Sequence, residues 1–451
     1  MVASPLVAAN NKILGANDRL RIAGVGTGSR GSGMVGLAAR YGEVVAYCDA
    51  DLRQAEAAKK RHKNEKAEIV QDYRTILDRK DIDVIVQGCP DHWHTKVNVE
   101  GLRAGKAVYG EKPLTLTIEE GKLLRKVVKE TKGVFQTGTQ QRSGPTFQTA
   151  VELIRAGRIG KIKTVYVSLP YYSIKGGPFP AVKVPKEVDW DLASGQAPVA
   201  PYCPERALRK WRYWYEYSGG NVTDWGNHHA DILLWGLDAE NSGPLTVETK
   251  GIFPNEGKPD CYNTVNGFCS RMTFEGGVEV LFFEALGKHW KELKEGKDSP
   301  VSAERFNFLF GKDCPEEVKA TERDGLMFIG DKGRIFVNRG GVYGKPFDEL
   351  MENPLPEDAW RAPNRGTMTG KYDDGLGAHM KNFFDCIRSR KRPVASAELE
   401  HRAVTVCHLT NISVRLGGRK LRWDPAKEEI VGDAEAKAMQ VREQRKPYSI
   451  S

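Results

Sequence analysis

Short apolar runs alternate with helical patterns over the first third of the chain. The apolar runs lie at residues 20–25, 44–48, 84–86 and 107–109, and helix-like stretches fill most of the intervals between them. Strands that alternate with helices in this way are typical of βαβ units, in which neighbouring strands run parallel. The pattern predicts an α/β fold that begins with a doubly wound parallel sheet. Ligands of such sheets bind at the carboxyl ends of the strands.

A glycine-rich turn directly follows the first of these strands. Its sequence is Gly-Thr-Gly-Ser-Arg-Gly, a G-x-G-x-x-G pattern, and a helical run of small residues comes next. In such a turn Gly26 permits the tight bend, Gly28 lets the backbone approach a pyrophosphate, and Gly31 lets the helix pack against its strand. The second strand ends at Asp49, where a carboxylate accepts hydrogen bonds from ribose hydroxyls. Together these features predict a dinucleotide-binding domain.

The predicted cofactor is NAD, with NADP as the less favoured alternative. Asp49 and the neighbouring Asp51 would repel a 2′-phosphate, whereas Arg30 could offset them by contacting a phosphate. The predicted cofactor-binding residues are Gly26, Thr27, Gly28, Ser29, Arg30, Gly31, Asp49, Pro90, His94, Glu111 and Lys112. A glycine turn that binds no nucleotide is the structural alternative.

Composition excludes several classes of protein. The chain has 451 residues with a mean hydropathy of −0.49, and no run reaches the roughly 18 apolar residues of a membrane-spanning helix. Its 68 basic and 59 acidic residues give a net charge of +9. Dense basic runs occur at 388–392 and 442–446, and we expect both to lie in solvent. We therefore expect a soluble protein of two or three domains that binds neither nucleic acid nor membrane.

The first seventeen residues do not resemble a folded core. They are small, polar and alanine-rich, and Val7-Ala8-Ala9 is similar to the cleavage region of an export signal, although no charged or apolar signal region precedes it. We expect residues 1–17 to be a flexible segment and the protein to be exported or periplasmic. A cytoplasmic location is the alternative.

Cysteine spacing indicates neither a zinc site nor a disulfide framework, because the eight cysteines are scattered and form no Cys-x-x-Cys pair. We expect buried free thiols where the cysteine lies in an apolar run, at Cys48, Cys89, Cys386 and Cys407. The other four could pair with one another if the compartment is oxidising.

Two further motifs contain groups suited to proton transfer. Glu111-Lys112-Pro113 ends a predicted strand beside the expected nicotinamide, which makes Lys112 a candidate catalytic residue. Farther along, Asp224 and His228 are spaced i and i+4, and Asp231 follows one turn later. On a helix they share one face, where a carboxylate can orient an imidazole that acts as a general base. A surface lysine and a capped helix start with packed histidines are the structural alternatives.

Together these motifs resemble the family of glucose–fructose oxidoreductases, inositol dehydrogenases and their relatives, the Gfo/Idh/MocA family. The matching residues are the turn at 26–31 with Asp49, the loop at 90–94, Glu111-Lys112-Pro113 and Asp224-x-x-x-His228-x-x-Asp231, within a resemblance that spans about residues 18–420. The resemblance implies an NAD-binding Rossmann domain over residues 18–140. It also implies a C-terminal α/β domain for substrate binding and oligomerisation over residues 141–420, built on an open, mostly antiparallel sheet. Residues 421–451 are then expected to form a C-terminal tail.

The resemblance also implies the chemistry. The family's lysine and its Asp-x-x-x-His pair are catalytic, which assigns that role to Lys112, Asp224 and His228. The nicotinamide would accept a hydride from a carbinol carbon while His228 takes the hydroxyl proton. Asp224 would orient His228, and Lys112 would stabilise the developing alkoxide. The implied enzyme is an NAD(P)-dependent dehydrogenase or reductase acting on a CH–OH group.

An aromatic-rich stretch at 190–235 surrounds the predicted catalytic pair. Tryptophan, tyrosine and arginine beside a catalytic histidine suit a carbohydrate, because C–H faces stack on rings and polar groups bind hydroxyls. The predicted substrate-binding residues are Trp93, Arg212, Trp214, Tyr215, Trp225, Asn227 and His229. Insertions relative to compact family members, at about 173–215 and 286–322, are expected to form walls around the site. Such walls favour a sugar or glycoside over the smallest polyol.

Three other functions stay open. A redox-neutral glycosidase would use bound NAD to oxidise a sugar hydroxyl transiently and eliminate the aglycone, although the known glycosidase branch lacks the lysine and Asp-x-x-x-His motifs. A metal site would require His92, His94, His228, His229 and Asp231 to converge, whereas we predict no bound metal. A cofactor-binding sensor would keep the fold without the chemistry.

Assembly is expected from the resemblance alone. Relatives commonly pair through the open face of the second sheet, so we expect a homodimer or homotetramer. The candidate strands for that sheet are residues 163–169, 247–252, 267–274 and 278–283.

Overall fold

The structure is a computed structural model that describes residues 19–172, 176–207, 210–299, 301–364 and 375–450. The predicted flexible segment and export-signal remnant at residues 1–17 lie outside the described residues. Among the helices that are described, none is long and apolar enough to cross a membrane.

A six-stranded parallel sheet forms the first part of the molecule. Its elements are β1 (Leu20–Val25), α1 (Ser29–Ala38), β2 (Gly42–Cys48), α2 (Leu52–Arg61), β3 (Glu68–Val70), α3 (Arg74–Asp78), β4 (Val84–Gln87), α4 (Asp91–Arg103), β5 (Ala107–Gly110), α5 (Ile118–Thr131) and β6 (Phe135–Thr137). The strand order is β3-β2-β1-β4-β5-β6, and each neighbouring pair is parallel. The central strands are almost wholly buried because helices cover both faces. The predicted doubly wound sheet is confirmed.

The rest of the chain forms a second α/β unit. Its elements are α6 (Pro145–Arg155), β7 (Ile162–Leu169), α7 (Trp190–Ser194), α8 (Asn221–Asp224), α9 (Gly226–Gly236), β8 (Thr246–Gly251), β9 (Phe268–Thr273), β10 (Glu279–Glu284), α10 (Gly287–Lys294), α11 (Ala303–Phe310), α12 (Glu316–Lys319), β11 (Gly325–Gly330), β12 (Arg334–Asn338), β13 (Gly341–Tyr343), α13 (Lys345–Asp348), α14 (Leu376–Ser389), α15 (Ala397–Arg415), β14 (Leu421–Asp424), β15 (Glu429–Ile430) and α16 (Ala434–Ala438). Short 3₁₀ turns lie at 140–143, 204–206, 210–213 and 275–277.

The second sheet is mostly antiparallel, as the family resemblance implies. Its nine strands have the order β13-β12-β11-β7-β10-β9-β8-β14-β15. Within the described residues, β7 and β10 run parallel and the other neighbours are antiparallel. The four strands predicted from the sequence correspond to β7, β8, β9 and β10 to within two residues.

The two faces of the second sheet have different covers. Along β10, Val280 and Phe282 point into the main core, which α9 and α15 also line. Leu281 and Phe283 alternate with them, as strand geometry requires, and face the helices α10 to α12. The insertion at 286–322 therefore covers the outer face of the sheet. The described residues of this insertion line no part of the site, which corrects that part of the prediction.

Two later parts of the chain pack against the first unit. Helix α14 packs Met380, Phe383 and Phe384 onto one face of the parallel sheet, although it lies within the range 141–420 predicted for the C-terminal domain. The described part of the predicted tail, residues 421–450, is also ordered, because β14 pairs with β8 and Tyr448 packs into the core of the first sheet. All eight cysteines are free thiols, and seven of them are buried.

The basic run at 442–446 is anchored rather than solvated. Arg442 Nε donates to the Glu120 carboxylate at 2.7 Å and its Nη2 donates to the His92 carbonyl at 3.0 Å. Arg445 Nη1 donates to Asp191 at 2.6 Å. The prediction of a solvated run is wrong here because two carboxylates from separate elements, one of them buried, attract these arginines.

We expect Arg442→Met to lower the free energy of unfolding by about 2–4 kcal/mol. The Glu120 carboxylate is 4% exposed and would stay buried without its cationic partner. Urea unfolding followed by tryptophan fluorescence measures the change. As a control, Arg419→Met removes an exposed ion pair with Asp433 and should leave the unfolding midpoint almost unchanged. Equal losses in the two variants would contradict the anchoring role of Arg442.

Candidate active site

The glycine turn forms one wall of a first cavity, with a volume of about 580 Å³. Gly26 has a φ of +73°, and a Cβ atom there would lie 2.5 Å from the Cys89 backbone nitrogen. A Cβ atom on Gly31 would clash with the Gly26 carbonyl oxygen. A Cβ atom on Gly28, in contrast, would meet none of the described atoms within 4 Å. The turn therefore leaves open space beside Gly28, where a phosphate could approach the backbone.

Helix α1 points its N-terminus toward this open space. It begins at Ser29 with Gly28 as its N-cap, and a glycine has no side chain that could cap the helix. The first N–H groups of a helix and its dipole favour an anion at that position. The predicted residues Thr27, Ser29 and Arg30 lie in the same turn.

Asp49 follows β2 and lies in the wall of the first cavity. Its carboxylate accepts hydrogen bonds from Thr27 N at 2.8 Å and from Asp51 N at 3.0 Å. Burial raises the pKa of Asp49 to about 7, although these backbone donors lower it. Further donors, such as the hydroxyls of a ribose, would favour the ionised carboxylate.

A strap formed by residues 186–207 also lines the first cavity. It is joined to the end of β2 and the start of α2, because Asp189 N donates to Ala50 O at 2.9 Å and Leu52 N donates to Glu187 O at 3.0 Å. The C-terminal segment holds it from the other side through the Arg445 bond to Asp191 and through Tyr448 Oη, which donates to the same carboxylate at 2.8 Å. In the residues that are described, the insertion at 173–215 thus forms the wall that the sequence predicts.

A second cavity, of about 430 Å³, adjoins the first. It brings together the carboxyl ends of β4 and β5 with the start of α9. Its lining comprises Ser29, Arg30, Gly88, Cys89, Asp91, His94, Glu111, Lys112, Gln140, Gln141, Trp211, Arg212, Asp224, Trp225, His228 and Arg339. The three predicted catalytic side chains therefore share one cavity.

Lys112 and Asp224 meet in the second cavity. Lys112 Nζ donates to the Asp224 backbone oxygen at 2.8 Å and also to its carboxylate, and Arg212 Nε donates to the same carboxylate at 3.2 Å. Burial raises the pKa of Asp224, but the charges of Lys112 and Arg212 outweigh burial and hold that pKa well below its usual range. Asp224 is therefore ionised at neutral pH and fixes the ammonium group of Lys112.

His228 lies one turn after Asp224, because α8 leads into α9 through Trp225. The residue is 5% exposed, and Nδ1 of its ring has no hydrogen-bond partner among the described residues. Burial lowers the pKa of His228 well below its usual value, and the positive charge of Arg339 lowers it further. The imidazole is consequently neutral and able to accept a proton.

The predicted bond between Asp224 and His228 is absent from the described part of the chain. The carboxylate is bound instead to Lys112 and Arg212. Two cations attract a carboxylate more strongly than a neutral imidazole does, which is the physical reason for this correction. Asp224 therefore positions the lysine rather than the histidine.

The other predicted cofactor residues converge at the carboxyl ends of the strands. Pro90 lies in the wall of the first cavity, at the start of α4. The two ring nitrogens of His94 lie 2.6 Å from Pro113 O and 2.9 Å from Cys89 O, so this ring connects the loops after β4 and β5. Glu111, which is buried, accepts a hydrogen bond from Arg30 Nε at 3.2 Å.

The predicted substrate residues divide into two groups. Arg212 and Trp225 line the second cavity, and Trp93 lines the first one. Trp225 Nε1 donates to Tyr172 Oη at 2.7 Å, which holds its ring at the edge of the cavity. These three side chains are placed where a ligand can reach them.

The other four predicted substrate residues reach neither of these cavities, as the described residues place them. Trp214 lies 3.6 Å below the Arg206 guanidinium, and Tyr215 Oη donates to Asn411 at 3.3 Å. Asn227 donates to Glu400 at 3.1 Å, and His229 Nε2 lies 3.5 Å from the Asp324 carboxylate. We assign these four side chains to the packing of the wall. They are predicted from their proximity in sequence to Asp224 and His228, but many side chains of this stretch face the interior rather than a cavity.

The residues of the metal alternative do not converge. His92 Nε2 lies 3.1 Å from Ala193 O, and Asp231 is paired with Arg142. Across the described ranges, no three His, Cys, Asp or Glu side chains are grouped so that they could hold a metal ion.

Sequence reasoning missed several residues of the second cavity. Gln140 and Gln141 come soon after β6, and the rule that ligands bind at strand ends could have indicated them. Asp91 follows β4 and accepts a hydrogen bond from Ser218 Oγ at 2.6 Å. Arg339 lies in the turn between β12 and β13, and no local signal places that turn at the site.

A buried polar network supports helix α9 from below. Arg142 Nε donates to Asp231 at 3.0 Å and its Nη1 donates to Glu240 at 2.7 Å. Glu400 accepts hydrogen bonds from Thr139 at 2.6 Å and from Asn227, and burial raises its pKa well above the usual value. Asp231 and Asn227 flank His228 on the same helix, so this network fixes the position of His228.

Two family-level matches agree with this geometry. The sequence profile of the oxidoreductase family's NAD-binding Rossmann fold, Gfo/Idh/MocA, matches residues 20–139. The profile of that family's C-terminal α/β domain matches residues 171–288 and 362–450. Together they cover well over half of the chain, which belongs to the Gfo/Idh/MocA oxidoreductase family. Its first domain is an NAD-binding Rossmann domain.

The relatives include sugar and polyol dehydrogenases. The scyllo-inositol 2-dehydrogenase (NAD(+)) of Bacillus subtilis strain 168 is 25% identical over 321 residues, which are 71% of this chain and 72% of that enzyme. The levoglucosan dehydrogenase of Pseudarthrobacter phenanthrenivorans is 35% identical over 91 residues, 20% of this chain and 23% of that one. A solved levoglucosan dehydrogenase, in complex with NADH and levoglucosan, has the same fold, with a TM-score of 0.62 at 17% identity over 90% of this chain and 99% of that one.

The residues of the first cavity fit NAD. The open space at Gly28 and the uncapped N-terminus of α1 suit a pyrophosphate, and Asp49 suits the adenosine ribose. The second cavity, which joins the first at Ser29, Arg30 and Cys89, would receive the nicotinamide end beside Lys112.

We expect Gly31→Ala to raise the dissociation constant for NADH by at least about tenfold, because the new methyl group would displace the Gly26 carbonyl and distort the turn. Fluorescence titration with NADH measures this change. Gly33→Ala is a matched control in the same helix, since a Cβ atom there meets none of the described atoms within 4 Å. Equal effects of the two substitutions would contradict the assignment of the turn.

We expect the affinity for NADH to rise with pH between about 6 and 8. Asp49 must be ionised to accept hydrogen bonds from ribose hydroxyls, and burial raises its pKa to about 7. Below the pKa the dissociation constant should increase by about tenfold per pH unit, and above it the constant should be flat. Calorimetric titrations across this range test the prediction. Asp49→Asn should bind weakly and without this pH dependence, whereas an unchanged slope would assign the titration to another group.

Proposed function

We propose that the protein is an NAD-dependent dehydrogenase that transfers a hydride between the nicotinamide and a secondary hydroxyl, or the corresponding ketone, of a sugar, glycoside or polyol. The observation that supports it is the meeting of Lys112, Asp224 and His228 in one cavity that adjoins the glycine turn. A proton acceptor and an oxyanion stabiliser thus lie beside the predicted place of hydride transfer.

When bound, NAD supplies a nicotinamide ring that accepts a hydride. The chain supplies the proton chemistry. Neutral His228 accepts the proton of the substrate hydroxyl as the carbinol carbon loses its hydride and becomes a ketone. The Lys112 ammonium donates a hydrogen bond to the same oxygen and stabilises its negative charge in the transition state. The reverse reaction reduces the ketone with the same groups.

Asp224 has a supporting part in this chemistry. Ionised and bound to Lys112 and Arg212, it keeps the ammonium oriented toward the cavity. Because its pKa is held well below the usual range, it does not take the substrate proton. The proton therefore passes to His228.

A carbohydrate is the substrate class that suits the second cavity. Trp211 and Trp225 offer flat faces, and Gln140, Gln141 and Arg212 offer hydrogen-bonding groups for hydroxyls. The relatives that act on scyllo-inositol and levoglucosan agree with this class.

We expect His228→Ala and Lys112→Met each to lower kcat by about 10²–10⁴-fold for a sugar or polyol substrate while NADH binding stays unchanged. Loss of the base removes the proton acceptor, and loss of the ammonium removes the oxyanion stabiliser. NADH formation measured by absorbance gives the rates. His229→Asn alters the neighbouring residue outside the cavity and should keep most of the activity.

Two outcomes would contradict the dehydrogenase. Unchanged turnover in both His228→Ala and Lys112→Met would remove the site assignment. Many cleavages of a nitrophenyl glycoside per NAD, without net NADH, would instead indicate the redox-neutral glycosidase.

A further inference from the structure

The strap at 186–207 spans the first cavity from the end of β2 to the start of α4. On one side Val188 forms a β-bridge with Asp51. On the other side the Ala193 carbonyl accepts a hydrogen bond from Trp93 Nε1 at 3.3 Å. The part of the strap between Val188 and Ala193 is therefore fixed at both ends, and it connects two elements of the first unit whose ends meet at the cofactor cleft.

Trp190 lies between these two contacts and lines the first cavity. Its side chain is half-buried, and its Nε1 donates to Ala200 O at 2.8 Å. The ring meets that of Tyr202 edge to face, with 5.1 Å between the ring centroids. The strap itself thus holds the indole in place. A flat ligand can stack on such a ring at a small cost in conformational freedom.

Gln71 follows β3, lines the same cavity and is joined to the strap. Its Nε2 donates to Glu187 O at 3.2 Å and to Ala50 O at 3.1 Å, so both hydrogens of the amide are used. These two bonds fix which end of the amide is the oxygen. Oε1 accepts no hydrogen bond from the residues that the structure describes, so it can accept one from an amino group of a ligand.

The connectivity of the dinucleotide decides which part of it reaches the strap. The pyrophosphate suits the open space at Gly28, and the adenosine ribose suits Asp49. The adenine is attached to that ribose on the side away from the pyrophosphate. It therefore lies beyond Asp49, toward Asp51 and the strap that is bridged to it.

We propose that the strap forms the adenine site of the cofactor. The adenine ring binds beneath the strap with one face against Trp190, and its amino group donates a hydrogen bond to Gln71 Oε1. Because the strap belongs to the second unit, both units then hold the adenosine half of NAD. The inference concerns cofactor binding and does not depend on the proposed dehydrogenase reaction.

A sugar is the competing occupant, because aromatic faces suit carbohydrates as well. The proposed reacting groups Lys112 and His228 line the second cavity, whereas Trp190 lines the first one. The positions of these side chains therefore favour adenine beneath the strap.

The test measures dissociation constants by calorimetric titration with NADH, with ADP and with reduced nicotinamide mononucleotide, which lacks the adenosine half. Trp190→Ala should raise the constants for NADH and ADP by a similar factor of about 10–100, because stacking of the base is lost. The constant for the mononucleotide should not change. Trp190→Phe should recover most of the loss, because a phenyl ring keeps a stacking face.

A second measurement needs no variant. Deamino-NADH, in which hypoxanthine replaces adenine, has an oxygen where NADH has the amino group. That oxygen would face Gln71 Oε1, so the wild-type protein should bind deamino-NADH at least about fivefold more weakly than NADH. Equal affinity for the two dinucleotides would overturn the proposal.

Val199→Ala is the matched control on the strap. Val199 is 64% exposed and is not among the described residues that line the first cavity, so this variant should bind all three ligands as the wild-type protein does. NADH and ADP affinities that stay within about twofold in Trp190→Ala would overturn the proposal. An equal loss for NADH, ADP and the mononucleotide would overturn it too, because it would indicate a general distortion of the cavity.

The same variant separates adenine from a sugar. Titration of the NADH-saturated protein with scyllo-inositol should give the same affinity in Trp190→Ala and in the wild-type protein. A loss of scyllo-inositol binding with unchanged ADP binding would instead place the sugar beneath the strap and overturn the proposal. None of these measurements requires turnover, so an absence of dehydrogenase activity would contradict the proposed function and leave the adenine site intact.

Discussion

The ion pair between Lys112 and Asp224 is the interaction on which the site depends. Lys112 comes directly after a strand of the parallel sheet, and Asp224 ends a helix of the second unit more than a hundred residues later. Both side chains are largely withdrawn from water, so each needs the other to offset its desolvation. The pair therefore joins the two units at the point where chemistry is proposed to occur. Removing either partner would leave the charge of the other largely buried and uncompensated.

Much of the surrounding structure serves to hold that pair at one geometry. Arg212 adds a second cation to the Asp224 carboxylate, which keeps the aspartate ionised, whereas burial and the charge of Arg339 keep His228 neutral. Below α9, the contacts of Asp231 with Arg142 and of Asn227 with Glu400 set the position of the helix. The strap at 186–207 and the C-terminal segment close the adjoining cavity through backbone and charged contacts. The site is thus assembled by parts of the chain that lie far apart in sequence.

A feature of the site could be predicted from the sequence where it depends on residues that are neighbours along the chain. The glycine turn and Asp49 form one continuous stretch whose spacing is dictated by local backbone geometry, so the sequence pattern indicates them directly. Four strands of the second sheet are also predicted to within two residues, because a strand is a local run of the sequence. Arg339 and Gln141 reach the cavity only because a hairpin and a strand end are folded against it. Their neighbours in sequence contain no sign of that contact.

The difference between local and long-range interactions also explains the predictions that were wrong. The spacing of Asp224 and His228 places them on one face of a helix, and the prediction that they bind each other follows from that spacing alone. Lys112 and Arg212 lie in other parts of the chain and bind the Asp224 carboxylate in place of His228. No local pattern could show this. The insertion at 286–322 is likewise predicted to lie at the site, whereas its apolar side chains pack on the outer face of the second sheet. In both predictions the outcome was decided by contacts between residues that lie far apart in sequence.

The charges around the second cavity act on Asp224 and His228 in opposite ways. Lys112 and Arg212 hold the pKa of Asp224 well below its usual range, which keeps the carboxylate charged and unable to take a proton at neutral pH. Burial, followed by the charge of Arg339, lowers the pKa of His228, which keeps the imidazole uncharged and able to take one. Of these two groups, which lie one helical turn apart, only the histidine is therefore suited to accept a proton.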